Sequence, residues 1–441
     1  SPAWDSDRNR TLADLLHTTV DSLPHFVPNV PRVVVDEARV AAQGIRKLES
    51  KRLTLYTDMP SEPAVDELPA VFDQAFPQLC EYFGVDPAKH ANWRMTGFLM
   101  REKALFVRTG LLPESLPPFP HGYARNDELW LYDQPSDYYR RHLLIHEGVH
   151  GFMNTLLGAC GPPWYMEGMA EMLATHRWRD GTLTLNHMPA NREETPHWGR
   201  IRIVKEAFED QKALTLDKII DYPPSAFTEN AAYAWSWAAA ALLDRHPRYR
   251  ERFRPLYAHV LKPNFNDLFH QSLGNDWPLL SEDWQVFIAG MEYGYDVARA
   301  AIERKPGSPL PSGGATIAIQ AGRGWQSTGL LLEANRRYRL TASGRYQVAK
   351  GPEPWWCEPG GVSIRYYQGK PLGLLLAAVR PDHQPAGLLS PLMRPITVGL
   401  GATLTPSQTG TLMLKINHSA AELAHCAGEL SIRVEVESEA N

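Results

Sequence analysis

Residues 141–150 read Arg141-His142-Leu143-Leu144-Ile145-His146-Glu147-Gly148-Val149-His150, and the meaning of this decapeptide decides the rest. It contains the pattern H-E-x-x-H. On an α-helix, residues four apart lie one turn apart on the same face, so the imidazoles of His146 and His150 can reach one ion. Glu147 follows the first histidine and is rotated away from it. It is placed to address a metal-bound water without ligating the metal. The flanking Leu143, Leu144, Ile145, Val149 and Phe152 would bury the helix, which the pattern extends over Ser136–Leu157. The competing reading, two surface histidines, conflicts with those apolar flanks, because imidazoles on a buried helix need partners. Gly148 costs about 1 kcal/mol in a helix interior, which points to close approach by another backbone or to room for a substrate.

A third ligand is expected from the next helix. Pro162-Pro163-Trp164-Tyr165-Met166-Glu167-Gly168-Met169-Ala170-Glu171 starts with two prolines that break the chain, and Glu167 and Glu171 then share one face. Two acids on one face usually form a solvated stripe. Here Trp164, Met166, Met169, Ala170, Met172 and Leu173 make the helix apolar, and buried carboxylates need a cation or donors. Glu167 is read as the oxygen ligand. Glu171 is read as the acceptor for the free N–H of a ligating histidine, fixing its tautomer. Two histidines and one glutamate leave a fourth position for water, the composition of a catalytic zinc site holding one ion. His142 is read as a packed or capping residue. His176, His187 and His197 are each read as incidental, and nothing selects among Arg141, Arg200 and Arg202 as partners for a substrate carboxylate.

Working outward, the fold class is α+β. Residues 1–50 form a helical or irregular lead-in. Residues 51–134 form a lobe with a small mixed sheet: strand Arg52–Thr57, helix Ala64–Phe83, and strands Met95–Met100 and Gly122–Tyr132. Residues 135–305 form a helical lobe that carries the zinc motif and closes with a long helix ending near Arg304. Lys305-Pro306-Gly307-Ser308-Pro309 reads as a linker. Residues 312–441 then read as an all-β sandwich of about eight short strands: Thr316–Ala321, Gly329–Leu332, Arg337–Ser343, Ser363–Gln368, Pro371–Val379, Ile396–Gly401, Gly410–Ile416 and Gly428–Glu437.

The two motifs together, H-E-x-x-H and W-x-x-E-G-x-A-E, resemble the gluzincin metallopeptidases, and most closely the bacterial peptidase-MA-like families. Sixteen residues, Gly151 to Met166, separate His150 from Glu167, slightly fewer than in aminopeptidase-N-like or thermolysin-like enzymes. The resemblance covers roughly residues 50–300. It implies a gluzincin-type catalytic domain and zinc-dependent hydrolysis of peptide bonds by Glu147-assisted attack of zinc-bound water. It also implies that Gly122 and Tyr123 lie on a sheet edge that pairs with extended substrate, the alternative being an ordinary hydrophobic strand. Tyr233, in Tyr233-Ala234-Trp235-Ser236-Trp237, is similar in setting to a tyrosine that donates its O–H to the oxyanion; the alternative is a core aromatic.

The C-terminal stretch Gly324-Trp325-Gln326-Ser327-Thr328-Gly329 with Tyr338–Gly344, and the tail Leu414–His418 through Ser431, resemble a small calcium-dependent galactose-binding bacterial lectin. The ligand positions depart from it. His418, Glu422, His425 and Cys426 stand where calcium needs oxygens, so calcium is not expected there, while Trp355 and Trp356 are candidates to stack on sugar. The expected partners are therefore a peptide or glycopeptide substrate and a carbohydrate. Two other readings stay open. One is a non-catalytic glycan or cell-wall binding protein on a peptidase scaffold. The other is a zinc amidase or esterase acting on a glycoconjugate.

Bulk composition narrows the classes. Net charge is −5 without a basic run, which disfavours nucleic acid. The longest apolar stretches, Trp235–Leu243 and Leu372–Val379, fall far short of a membrane span. The chain starts at Ser1, which suggests a removed leader and hence export, periplasmic or extracellular. The four cysteines lack zinc-ribbon spacing; Cys357 and Cys426 are read either as a disulfide or as buried free thiols.

Overall fold

The structure is a computed structural model that describes residues 31–383 and 388–437. The first thirty residues of the expected lead-in lie outside the described residues. The chain is mixed α and β, and its contacts gather it into two units. One holds the residues up to Ile203 with Asp217–Asp244 and Arg250–Ser272; the other holds Val204–Leu216, Arg245–Tyr249 and Leu273 onward.

In the first unit β1 (Arg46–Glu49), β2 (Leu53–Thr57), β3 (Met95–Met100), β4 (Gly122–Arg125) and β5 (Glu128–Tyr132) form a sheet in the order β1-β2-β3-β5-β4. Every residue of β2 is buried, as a strand covered on both faces requires. β2, β3 and β5 run parallel, and β4 pairs antiparallel with β5 at the sheet edge. The single strand expected over Gly122–Tyr132 is therefore a hairpin. It turns at Asn126-Asp127, where Asn126 takes φ +54°, a left-handed conformation that asparagine tolerates well.

Helix α1 (Leu68–Tyr82) covers this sheet together with α2 (Asp137–Phe152), and Phe72, Leu143, Leu144, Met95, Leu129 and Leu131 share their core. Ser136 caps α2, its Oγ accepting from the Tyr139 N–H at 3.2 Å. The helix continues through a π-helical turn over Met153–Leu157 and stops at Gly158, φ +85°. Pro162 and Pro163 then open α3 (Pro163–Ala174). Gly168 of α3 lies against α4 (Asn230–Arg245), where a Cβ would stand 2.8 Å from the Ser236 carbonyl oxygen.

In the second unit the expected long helix is not formed. Helix α5 (Trp277–Ala289) ends at Gly290, and only a short turn, Val297–Ala300, follows. Arg304 lies beyond both and turns back to pair with Glu282 at 2.9 Å and Asp283 at 3.0 Å. Strand formation begins inside the expected linker, with β6 (Ser308–Pro309) parallel to β8. Beyond it lie β7 (Ala315–Gln320), β8 (Gln326–Leu332), β9 (Tyr338–Ser343), β10 (Leu375–Arg380), β11 (Ile396–Thr397), β12 (Gly401–Leu404), β13 (Gly410–Ile416) and β14 (Glu429–Val436). They build two sheets, β11-β10-β13-β8-β6 and β12-β9-β14-β7. Leu332, Leu375 and Leu414 of one sheet share a core with Leu340, Ile319 and Ile432 of the other. Short hairpins complete the unit. Two of their strands, Tyr346–Ala349 and Trp355–Cys357, were not expected.

All four cysteines are free and buried, so the Cys357–Cys426 bridge is not made. No helix among the described residues is long and apolar enough to cross a membrane.

Candidate metal centre

The helical repeat brings His146 and His150 together as expected, and α3 delivers Glu167 to them. His146 Nε2 stands 3.1 Å from His150 Nε2, while Glu167 Oε2 is 3.2 Å from the first and 3.3 Å from the second. Ligand atoms bound tetrahedrally at about 2.0–2.1 Å are about 3.3–3.4 Å apart, so the three donors are spaced as one small cation needs. All three residues are buried. This is one of two His/Glu groups among the described residues that could hold a metal ion; the other is His142, His146 and Glu171.

Glu171 sits one turn beyond Glu167. Its Oε1 lies 3.5 Å from His146 Nδ1 and its Oε2 lies 3.3 Å from His142 Nε2. It also accepts from Arg200, Nε to Oε2 at 3.1 Å and Nη2 to Oε1 at 2.9 Å, and from Trp198 Nε1 at 3.3 Å. Burial alone would raise the Glu171 pKa, but Arg200 and then His142 hold it well below the ordinary value. The second group thus contains a carboxylate already neutralised by a guanidinium, whereas among the described residues no arginine pairs with Glu167. Burial opposes the charge on Glu167 too, and the facing His150 and His146 rings bring its pKa well down.

Glu147 points toward the sheet edge. A Cβ on Gly122 would stand 2.6 Å from Glu147 Oε1 and 2.9 Å from its Cγ. Glycine here lets the edge strand pass directly over the carboxylate. Burial pushes the Glu147 pKa up to about 8; His150 opposes this, and Glu167 and Glu171 add to it. A divalent cation beside it would favour the ionised form. Tyr123, next along β4, has its pKa raised by burial and by Glu147, against the opposing pull of Arg125.

Tyr233 of α4 reaches the same place. Its ring lies 6.1 Å from the His146 ring, Arg200 stands 5.6 Å over its face, and Phe227 meets it edge-on at 5.2 Å. Burial, then Glu167, Glu147 and Glu171, push its phenol far above the ordinary range, so it stays a donor.

Other sequence candidates sort differently. His142 is buried and belongs to the site through Glu171, its Nδ1 lying 3.0 Å from the Ala174 carbonyl oxygen. His176 Nδ1 lies 2.8 Å from the same oxygen, His187 pairs with Glu194, and His197 is exposed. Arg141 donates to Glu67 at 2.6 Å. Arg200 is the arginine that enters the site. Trp198 and His121 were not singled out by sequence; burial and Arg200 lower the His121 pKa. The only local signal, Trp198-Gly199-Arg200, carries no recognisable spacing.

In the C-terminal unit His418 Nε2 lies 2.7 Å from the Val348 carbonyl oxygen, Glu422 pairs with Arg365 at 2.8 Å, and Cys426 is buried. Trp355 and Trp356 are exposed, with Arg345 5.9 Å over the Trp356 ring.

No family model matches the sequence, and no curated protein does. Among solved structures the chain is similar to a PllA-like lectin, the EclA N-terminal domain, at 22% identity over 28% of this chain and 95% of that one, TM-score 0.21. It is also similar to IMPa from Pseudomonas aeruginosa, solved with an O-glycopeptide, at 11% identity over 97% of this chain and 45% of that one, TM-score 0.17. The chain thus spans less than half of IMPa. Likenesses this distant assign neither fold nor function.

Proposed function

We propose that the chain is a zinc-dependent peptidase. The observation that carries this reading is the convergence of His146 Nε2, His150 Nε2 and Glu167 Oε2, within 3.3 Å of one another, beside the buried carboxylate of Glu147, which belongs to neither group of candidate ligands. Two imidazoles and one carboxylate are the donor set of a catalytic zinc site with an open position. Zinc bound there supplies Lewis acidity, lowering the pKa of a water and polarising a carbonyl.

The protein's own groups divide the remaining work. Glu147 takes a proton from the attacking water and returns it to the departing amine. β4 is a sheet edge, so its outer backbone groups are available to an extended peptide, and Gly122 would hold that peptide against Glu147. Tyr233, kept neutral, is placed to donate its O–H to the oxyanion as the carbonyl becomes tetrahedral. Glu171, fixed by Arg200 and Trp198, orients His146 through Nδ1.

The test is cleavage-site profiling of a peptide library by mass spectrometry, with and without chelator, for the wild type and Glu147→Gln. Cleavage that stops in both the chelated sample and the variant supports the reading. Cleavage that survives either change contradicts it.

A further inference from the structure

A cavity of about 100 Å³ in the C-terminal unit is lined by Val286 of α5, Trp325, Leu392, Met393, Ile416 and Lys415, among others. Lys415 is out of place in its strand. Side chains along β13 alternate between two faces. Leu412, Leu414 and Ile416 face the core between the two sheets, while Met413 faces a second small core with Trp325, Leu376, Ala378 and Leu392. Lys415 shares the Met413 face, where the pattern asks for an apolar residue. Its ammonium stands 5.0 Å from the centre of the Trp325 ring.

Among the described residues Lys415 makes no ion pair, and burial alone, with no neighbouring charge, pulls its pKa down to about 8. Arg323 lines the same cavity and likewise makes no ion pair among the described residues. The other titratable groups in the lining are Tyr295, Tyr367 and His418. Burial pushes both tyrosine pKa values upward, and the His418 nitrogens face the carbonyl oxygens of Val348 and Ser419. Two carboxylates stand behind them, Glu292, which accepts from the Tyr367 hydroxyl at 3.3 Å, and Glu422, 4.0 Å from His418 Nδ1; neither pairs with Lys415. Lys415 is half-buried; an ammonium partly withdrawn from water without a counter-ion is costly, and contact with one indole face offsets only part of that cost.

We propose that this cavity binds a small carboxylic acid as its anion. The carboxylate would sit on Lys415 and an apolar body would lie against Trp325 and Leu392. The mostly apolar wall is what favours an organic acid over an inorganic anion, which would leave that wall without contacts. None of these residues belongs to the metal centre, so the inference stands or falls apart from the peptidase reading.

The test uses the full chain, titrated with sodium benzoate and sodium acetate against matched sodium chloride. Binding is followed by ligand-observed NMR and by thermal unfolding. Benzoate is expected to bind saturably, more tightly than acetate, and to raise the unfolding temperature. Lys415→Met should weaken benzoate by roughly tenfold or more, the loss of one charge-assisted contact, and Arg323→Gln should weaken it less. Circular dichroism establishes that each variant is folded. Should Lys415→Met not fold, Lys415→Gln takes its place. Benzoate that acts no differently from chloride, or that binds the folded Lys415 variant as well as the wild type, overturns the proposal.

Discussion

The guanidinium of Arg200 closes on both oxygens of Glu171, at 3.1 and 2.9 Å, and both side chains are almost fully buried. Removing one partner of such a pair strands a charge away from water. Arg200→Ala should therefore lose about 3–5 kcal/mol of stability, read from chemical denaturation. On the proposed reading Glu171 orients His146, so the same variant should weaken zinc binding by about 10- to 100-fold, read by competition with a fluorescent chelator. Arg200→Lys should recover part of the stability and little of the geometry, since an ammonium cannot fork across a carboxylate. An Arg200→Ala protein with unchanged stability and zinc affinity would contradict this role.

The same contact separates the two candidate metal groups. Glu171 already has its cation; Glu167 does not. His142→Gln is therefore expected to retain one zinc per chain, while His150→Ala and Glu167→Gln lose it. Plasma emission analysis after dialysis gives the answer directly, and zinc lost from His142→Gln but kept in Glu167→Gln would reverse the assignment.

Gly122 tests the edge strand. A methyl group there would meet Glu147 Oε1 at 2.6 Å and Cγ at 2.9 Å, so the whole carboxylate must shift. The backbone at Gly122 is ordinary extended strand, so alanine costs the fold little. Gly122→Ala should lower kcat by roughly 100-fold, the scale of an ångström's misplacement, with an unfolding temperature close to wild type. Full activity in this variant would show that Glu147 works from another position.

The parts of the site legible in sequence were those that repeat locally. His146, Glu147 and His150 follow from helix period alone, and Glu167 and Glu171 from the same period on an apolar helix after two prolines. Arg200 was one of three indistinguishable arginines, because its selection by Glu171 is a contact across 29 residues and leaves no mark on its neighbours. Sheet order escaped for the same reason. The β4–β5 hairpin was missed because Gly122–Tyr132 was read as one strand alternating apolar and polar residues, although Arg125-Asn126-Asp127-Glu128 places four polar residues together at its centre. The long helix toward Arg304 was expected from helical period and length; the helix ends at Gly290 instead, and Arg304 pairs with Glu282 and Asp283 of α5. In the β unit, Pro371–Val379 was read as one strand, whereas Gly373, φ +82°, splits it.

Lys415 gives a stability prediction with a definite sign. Its pKa in the folded chain, about 8, lies below the ordinary 10.5. Between those values the unfolded chain holds a proton that the folded chain has shed. The contribution of Lys415 to stability therefore rises with pH from about 8. Elsewhere burial raises the pKa values of all four thiols above the ordinary 9.0, and those of Tyr295 and Tyr367 above 10, so from about pH 9 these groups lower stability as pH rises. The effect of Lys415 is therefore read as a difference: in the absence of added carboxylate the urea midpoint of Lys415→Met should exceed that of the wild type at neutral pH, and the gap should narrow between about pH 8 and pH 10. A gap that is absent at neutral pH, or that does not narrow over that range, would contradict the burial argument.

The most direct measurement for the account as a whole is X-ray absorption at the zinc edge on the full chain, paired with zinc content for the wild type and Glu167→Gln. The account predicts one zinc per chain with two imidazoles among nitrogen and oxygen ligands only, and loss of that zinc in the variant. A wild-type chain that takes up no zinc, or a Glu167→Gln chain that holds it with the same spectrum, would contradict it.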